Sequence, residues 1–269
     1  MKFYISLLMC CATTVAKAQE LFSFTEPASN MAAKSIGIRL NNYLMNNKQT
    51  NTINYHLLPE VMIGINKKIM LHAEVFLSNR NKQFVAEGAS IYGKYRFISI
   101  NDIHSHFRMA TYLRCSFNNS DIHQPAIDFF GHSSGIEVGF IATKLMHKVA
   151  LSGSVGQLRV FDNGKEKFGY SNAYRNAISY SLSIGKLLLP KEYINYNQTN
   201  LNVMVELLGQ TNTGSGHTFL DIAPAAQLIF NSIFRVDVGY RFNCINTLYR
   251  TAPQGFLIRL EYNFFNAFK

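Results

Sequence analysis

Apolar and polar residues alternate along most of this chain. Ile36, Ile38 and Leu40 alternate with Gly37, Arg39 and Asn41, and Ile69, Leu71, Ala73, Val75 and Leu77 with Met70, His72, Glu74 and Phe76. Phe107, Met109, Thr111, Leu113, Cys115 and Phe117 alternate with Arg108, Ala110, Tyr112, Arg114 and Ser116. Near the C-terminus, Phe256, Ile258, Leu260, Tyr262 and Phe264 alternate with Leu257, Arg259, Glu261 and Asn263. Side chains of a strand point to opposite faces in turn, so period two marks strands with one apolar and one polar face. The pattern predicts twelve of them: 34–44, 54–65, 68–78, 87–98, 105–117, 134–144, 148–158, 175–187, 199–210, 217–230, 233–242 and 254–265.

The connections carry a second signal. The odd-numbered ones are mostly long and polar, such as Asn118–Ser133 and Arg159–Tyr174. The second, sixth and tenth are tight: Asn66-Lys67, Leu145–His147 and Asn231-Ser232. Outer-membrane barrels place long loops outside and short turns on the periplasmic side. Connection eight, Leu188–Gln198, breaks the alternation, either as a long periplasmic turn or through a miscounted strand. A soluble secreted sandwich or lipocalin-like barrel would alternate as well. Strand length and loop alternation favour the membrane. The expected fold is all-β, a transmembrane antiparallel up-and-down β-barrel of about 12 strands.

The start of the chain agrees with export. Lys2 precedes the uncharged apolar stretch Phe3–Val15, and Ala16-Lys17-Ala18 is a small-x-small cleavage site. That is the layout of a signal peptide, and the stretch is too short for a spanning helix. Cys10 follows Met9 rather than a small residue, which argues against a lipoprotein signal. The organisation read from this is a cleaved signal peptide at 1–18, a periplasmic N-terminal segment at 19–33 and an outer-membrane β-barrel at 34–269. After residue 18 no segment reaches 18 consecutive apolar residues, so helical spans are not expected.

Composition changes this picture little. The whole chain carries a formal charge of +10, but without any basic run, which argues against a nucleic-acid partner. Of the four cysteines, Cys115 and Cys244 lie beyond the leader, too few for a disulfide scaffold. Trp is absent, so any interfacial girdle must use the 14 Tyr and 21 Phe.

Several stretches resemble a family of Bacteroidota outer-membrane barrels. They are Phe24-Thr25-Glu26-Pro27-Ala28-Ser29-Asn30-Met31 with Ser35-Ile36-Gly37-Ile38-Arg39, then Pro59-Glu60-Val61-Met62, Leu71-His72-Ala73-Glu74, and Glu87 to Phe97. The ending Leu260-Glu261-Tyr262-Asn263-Phe264-Phe265 is similar to the final strands of such barrels. The resemblance is to transporter-like barrels associated with aromatic-degradation pathways, and it covers the first 100 residues and the last strand. It implies an outer-membrane barrel with no catalytic motif. The chain departs from that pattern in ending on Lys269, with Phe268 penultimate.

The chemistry lies on the polar strand faces. Arg39, Glu74, Lys94, Arg96, Arg108, Arg114, Glu137, Glu206, Arg235, Asp237, Arg241, Arg259 and Glu261 fall at strand middles and are read as lumen-lining. A charge facing lipid at the midplane costs about 2–4 kcal/mol, so these groups must point inward. Asp237 faces the same way as Arg259, Glu261 can meet Arg235 or Arg241, and Arg39 closes against the twelfth strand. If a passage exists, its wall there should be mildly cationic. The same ladder would also suit a filled barrel, since twelve strands lie between the filled eight and the channel-forming sixteen.

Other motifs carry less. His72 and Ser90 share the inward side with Glu74, a conceivable hydrolase pair without a clear third member. His104, His106, His123 and His132, with Asp121 and Asp128, show no structural-zinc spacing. Asp162-Asn163-Gly164 lacks the alternating acids of a calcium loop and reads as a turn. No cofactor, metal or enzyme activity is expected. Two functions follow: a passive channel or transporter for small molecules, or a structural or surface-binding barrel acting through outer loops such as the fifth and the Tyr170–Tyr174 region of the seventh. The expected partners are outer-membrane lipid, the barrel-insertion machinery and a small-molecule solute.

Overall fold

The computed structural model describes residues 22–47, 50–79, 83–103, 105–192 and 197–268. The proposed signal peptide, residues 19–21, His104 and Lys269 lie outside them. Twelve strands follow in chain order: β1 (Ser35–Asn47), β2 (Thr52–Gly64), β3 (Ile69–Ser78), β4 (Val85–Asn101), β5 (Ser105–Asn118) and β6 (Gly135–Met146). They continue as β7 (Val149–Val160), β8 (Asn176–Leu189), β9 (Asn200–Asn212), β10 (Thr218–Phe230), β11 (Phe234–Asn246) and β12 (Gln254–Phe264). Each pairs antiparallel with its sequence neighbours, and β1 pairs with β12 to close the barrel. Among the described residues no helix is long and apolar enough to cross a membrane.

The expected segments and the strands coincide to within a few residues, with two extensions. β4 starts at Val85 and runs to Asn101 through a register shift at Arg96/Ile98, and β11 continues to Asn246 where the pattern predicts an end at 242. Connection eight is a long turn on the short-turn side, because β8 pairs with β9 and the strand count holds.

The short turns have local causes. Asn66 Oδ1 accepts hydrogen bonds from the Lys68 and Ile69 amides at 2.8 and 2.9 Å, an Asx turn. Asn231 and Ser232 both take positive φ, 51° and 58°, and Ile233 N donates to Phe230 O at 3.0 Å. Two positive-φ residues make the turn whose twist suits a two-residue hairpin.

Burial is inverted relative to a water-soluble barrel. On β9 Glu206 is fully buried while Val205 is 39% exposed, and on β11 Asp237 is fully buried while Val238 is 47% exposed. The outward set is an apolar belt that includes Ile38, Val61, Ile91, Leu113, Val155 and Ile184. Aromatic side chains rim it at both ends. Tyr95, Phe97, Phe234, Tyr262 and Phe264 lie toward the short turns, and Phe117, Phe242 and Phe256 toward the long loops. An apolar exterior with aromatic girdles and a polar interior is the arrangement of a strand barrel surrounded by hydrocarbon.

Candidate functional site

The lumen contains three layers: an N-terminal segment at the short-turn end, a chamber, and a loop folded over the opposite mouth. The sequence reads residues 19–33 as a periplasmic N-terminal segment, a reading that leaves its contacts open. Its described part, residues 22–33, touches inward side chains from strands all round the barrel, which only a position within the lumen allows.

Charged wall residues grip the segment's backbone. Glu206 on β9 accepts from Ser23 N and Phe24 N at 2.8 Å each and from Thr25 Oγ1 at 2.6 Å. Lys94 on β4 donates to Pro27 O at 2.7 Å and Ser29 O at 2.9 Å. Thr143 on β6 accepts from Ala28 N at 2.9 Å, and Arg108 on β5 donates to Ser29 Oγ at 2.6 Å. Apolar contacts add to these. Phe22 packs on Ala150, Met204 and Ala225, and Ala28 on Tyr92, Ala110, Tyr112 and Ile141. Buried backbone groups need partners, and strand pairing cannot supply them to a chain threaded through a lumen.

Arg39 ties segment to wall. Its guanidinium reaches Glu26 at 2.8 Å, Glu60 on β2 at 3.1 Å and Glu261 on β12 at 2.8 Å. The register explains the geometry, since Arg39 lies opposite Glu60 on one side and Glu261 on the other. Glu261 also meets Arg235 at 3.2 Å, and Asp237 lies between Arg235 at 3.3 Å and Arg259 at 3.7 Å.

Above the segment lies a chamber of about 290 Å³. Its lining includes Glu60, Glu74, Arg114 and Glu137 on one side and Arg241, Arg250 and Arg259 on another, with Tyr43, Tyr92 and Tyr112 between charged groups. Arg114 sits 3.7 Å from both Glu74 and Glu137, and its guanidinium lies over the Phe130 ring at 4.2 Å. Glu137 accepts from Tyr112 and Ser179, each at 2.9 Å. Arg241 and Arg250 both bind fully buried Asp221, at 2.5 Å, and Arg250 stacks on Phe219 at 3.8 Å.

The roof is the loop 119–134. Gln210 on β9 pairs with the Ile127 backbone in both directions, accepting at 3.0 Å and donating at 2.7 Å. Gln124 accepts from Thr251 N at 3.0 Å. Asn163, fully buried, accepts from Ser134 N at 2.7 Å and donates to Ser120 O and His132 O at 2.9 and 2.8 Å. Apolar packing completes it: Ile127 and Phe129 join Leu158, Val160 and Phe168, and Ala126 joins Phe219 and Leu248. The tyrosines read as an outer binding surface belong here too. Tyr170 packs against the first cluster and Tyr174 against both, and the Tyr174 hydroxyl lies 2.8 Å from His217 Nδ1.

The thirteen residues read as lumen-lining therefore divide. Arg39, Glu74, Arg114, Glu137, Arg241 and Arg259 line the chamber. Lys94, Arg108 and Glu206 hold the segment. Arg235, Asp237 and Glu261 form a buried ionic cluster with Arg39 and Arg259. Arg96 sits near the short-turn rim, donating to Lys67 O. Arg241 meets Asp221 rather than Glu261.

The alternation held three further charged residues it did not single out as lumen-lining, Glu60, Glu87 and Asp221, all at buried positions on their strands. Arg250 lies in a loop and had no sequence signal. The hydrolase pair is not assembled, because His72 Nδ1 pairs with Glu60 while Ser90 Oγ donates to Glu74 at 3.3 Å. Among the described residues no group of three or more His, Cys, Asp or Glu side chains could hold a metal. Asp162 and Asn163 serve the loops. Asn163 and Glu166 form a small bridge around Gly164, and the Asp162 carboxyl is held below the usual carboxylate range by the Phe168 amide and then by Arg175.

Among solved structures, the chain is similar to an outer-membrane channel from Pseudomonas putida F1. The two are 10% identical, the match covers 89% of this chain and 98% of that one, and the TM-score is 0.55. The KdgM porin matches at 9% identity over 85% of this chain and 99% of that one, with a TM-score of 0.47. The NanC porin matches at 11% identity over 85% and 98%, also at 0.47. At such identities the likeness to the Pseudomonas channel concerns the fold. No protein-family model matches the chain, and no curated protein matches its sequence.

Proposed function

We propose that this protein is an outer-membrane channel for small polar solutes, closed at the end bearing the short turns by residues 22–33. The carrying observation is the charged chamber between segment and roof. A filled barrel needs no such space, and a surface-binding barrel needs no ionic lining. The apolar belt and aromatic rims support an outer-membrane location, reached through a cleaved leader and the barrel-insertion machinery. The motifs resembling Bacteroidota transporter-like barrels, and through them the aromatic-degradation group, support the same reading. On this reading the chain carries solute and performs no catalysis.

Planar-bilayer recording on the refolded chain tests it. We expect small, interrupted conductance, and a larger steady conductance when residues 22–33 are deleted. Silence in both would overturn the channel reading and leave the barrel structural or loop-binding, which its two closures would also suit. Cysteine labelling in intact cells sets the orientation. Asn119→Cys should react and Asn231→Cys should not.

A further inference from the structure

We infer that the chamber is a binding site for a small zwitterion, a molecule carrying an ammonium and a carboxylate and about the size of an amino acid or dipeptide. The inference rests on the channel reading for access and deepens it by naming the solute class.

Its basis is the separation of charge around the chamber. Glu60, Glu74 and Glu137 stand on β2, β3 and β6, whereas Arg241 and Arg259 stand on β11 and β12. In the closed order of twelve strands the β6 of Glu137 lies five steps from the β11 of Arg241 and six from the β12 of Arg259, so Glu137 faces the arginines across the lumen; the β3 of Glu74 lies four and three steps from them, and the β2 of Glu60 only three and two. The acidic wall is incompletely neutralised. Its own cation, Arg114, stands 3.7 Å from both Glu74 and Glu137, beyond hydrogen-bond distance of each. Glu60 is served by both Arg39 and His72, so the carboxylates left short of a partner are Glu74 and Glu137.

The basic wall shows the opposite excess. Arg241 and Arg250 share the single carboxylate of Asp221. Arg241 spends only Nε on it, at 2.5 Å, and is 24% exposed. Among the described residues its two Nη groups have no hydrogen-bond partner, so they remain as a fork suited to a carboxylate.

A third observation points to a missing occupant on the acidic side. Tyr92 is 2% exposed and lines the chamber, and its buried hydroxyl has no hydrogen-bond partner. Its ring lies 5.0 Å from the Arg114 guanidinium, which places it beside the Glu74–Glu137 pair. An ammonium there would donate to that hydroxyl and to the carboxylates that Arg114 does not reach within hydrogen-bond distance.

A simple anion attracted to Arg241 would meet the carboxylates opposite, and a simple cation at Glu74 would meet the arginines. Only a molecule with both charges satisfies both walls, and a low-dielectric lumen strengthens each interaction. The volume, about 290 Å³, is at the small end of the range for ligand pockets.

The test uses the refolded full chain with three probes: dialanine, its N-acetyl derivative and its amide. Calorimetric titration in detergent reads binding, and liposome swelling reads flux. We expect dialanine to bind about tenfold more tightly than either singly charged form, the scale of one charge-assisted hydrogen bond. Arg241→Gln should shrink the preference over the amide and leave the preference over the N-acetyl form. Glu74→Gln should do the reverse. Such crossed changes would not come from general damage to the fold, which heat-modifiable migration monitors separately. A singly charged probe binding as tightly as dialanine, or both variants moving both preferences alike, would overturn the inference. Binding without flux would keep the site and defeat the channel, flux without charge preference would keep the channel and defeat the site, and neither binding nor flux would defeat both.

Discussion

The segment at the short-turn end is held mostly by ions gripping backbone: Glu206 on three donors, Lys94 on two carbonyls, Arg39 on Glu26. The roof at the other end is held by neutral amides, those of Gln210, Gln124 and Asn163, over two apolar clusters. The difference follows from what each must bury. A lone extended chain inside a polar barrel offers mainly peptide groups, and charged partners satisfy those strongly. A long loop brings its own Ile and Phe side chains and can build a small core. Charge-held contacts fail steeply when one ion is lost, because its partner is left buried and unpaired. Packed contacts fail by degrees. The short-turn end is thus suited to opening as a unit, and the roof to staying in place while it narrows the mouth.

The most severe break in this contrast is Arg39→Ala, which would take from Glu26, Glu60 and Glu261 the guanidinium they share and leave them only Lys94, His72 and Arg235 respectively. Removing one partner of a buried ionic group costs about 3–5 kcal/mol. The folded fraction, read by heat-modifiable migration across a urea series, should fall accordingly. Adding Glu26→Ala should restore part of the loss, since one of the three carboxylates leaves with it. A second change sharpens the comparison. Glu206→Leu removes the acceptor for Ser23 N, Phe24 N and Thr25 Oγ1, and hydrogen bonds to a charged group are worth about 1.5–3 kcal/mol each. The segment should then leave while the barrel stays folded, and a Phe24→Cys reporter should become reactive to maleimide. An unreactive reporter would mean that the apolar seat of Phe22 is sufficient to hold it.

Much of this molecule is legible in its sequence, because period two survives wherever a strand separates lipid from lumen. Arg39, Glu206, Asp237 and Glu261 stand out for that reason, as charges between apolar neighbours. Glu60 and Asp221 obey the same alternation, and their pairing with Arg39 and Arg250 depends on neighbours the pattern does not name. The segment 22–33 leaves no such trace. Its contacts run through backbone N–H and C=O groups, which every residue has, to wall positions more than a hundred residues away in the cases of Glu206 and Thr143. The roof is hidden similarly, since Gln210 meets the backbone of Ile127 across 83 residues. Lumen contents depend on three-dimensional closure, and local periodicity reports only the wall.

On the roof side, Gln210→Ala should have a milder effect than either ionic change. It leaves Ile127 N and O without their partner, at about 1–3 kcal/mol for buried groups losing hydrogen bonds. The apolar clusters should keep the loop near its place. Protease cleavage within 119–134 should rise without loss of folded barrel, and single-channel records should become noisier while the mean conductance changes little. A roof that swings away entirely, seen as a large steady conductance like that of the segment deletion, would show that both ends are held by single latches.

The smallest effect belongs to the rim of the roof, where Asp162 binds the Phe168 amide at 3.0 Å and Arg175 at 2.9 Å. Both partners favour the ionised carboxylate, so its folded pKa lies below the unfolded value, and the tether's contribution is present above that unfolded value, about 3.9. It is lost as pH falls through the folded pKa. Above pH 5 the contribution should therefore be flat. Asp162→Ala should abolish whatever dependence the seventh loop shows below it. The site is exposed, and exposed pairs contribute little after screening, more weakly still at high salt. The expected outcome is unchanged global stability with faster amide exchange at Phe168 in the variant, and the same faster exchange in the wild type at acid pH. An Asp162→Ala protein with measurably lower unfolding midpoint at neutral pH would show that this rim tether supports the roof's apolar cluster, and the contrast between an ionic end and a packed end would then have to be redrawn.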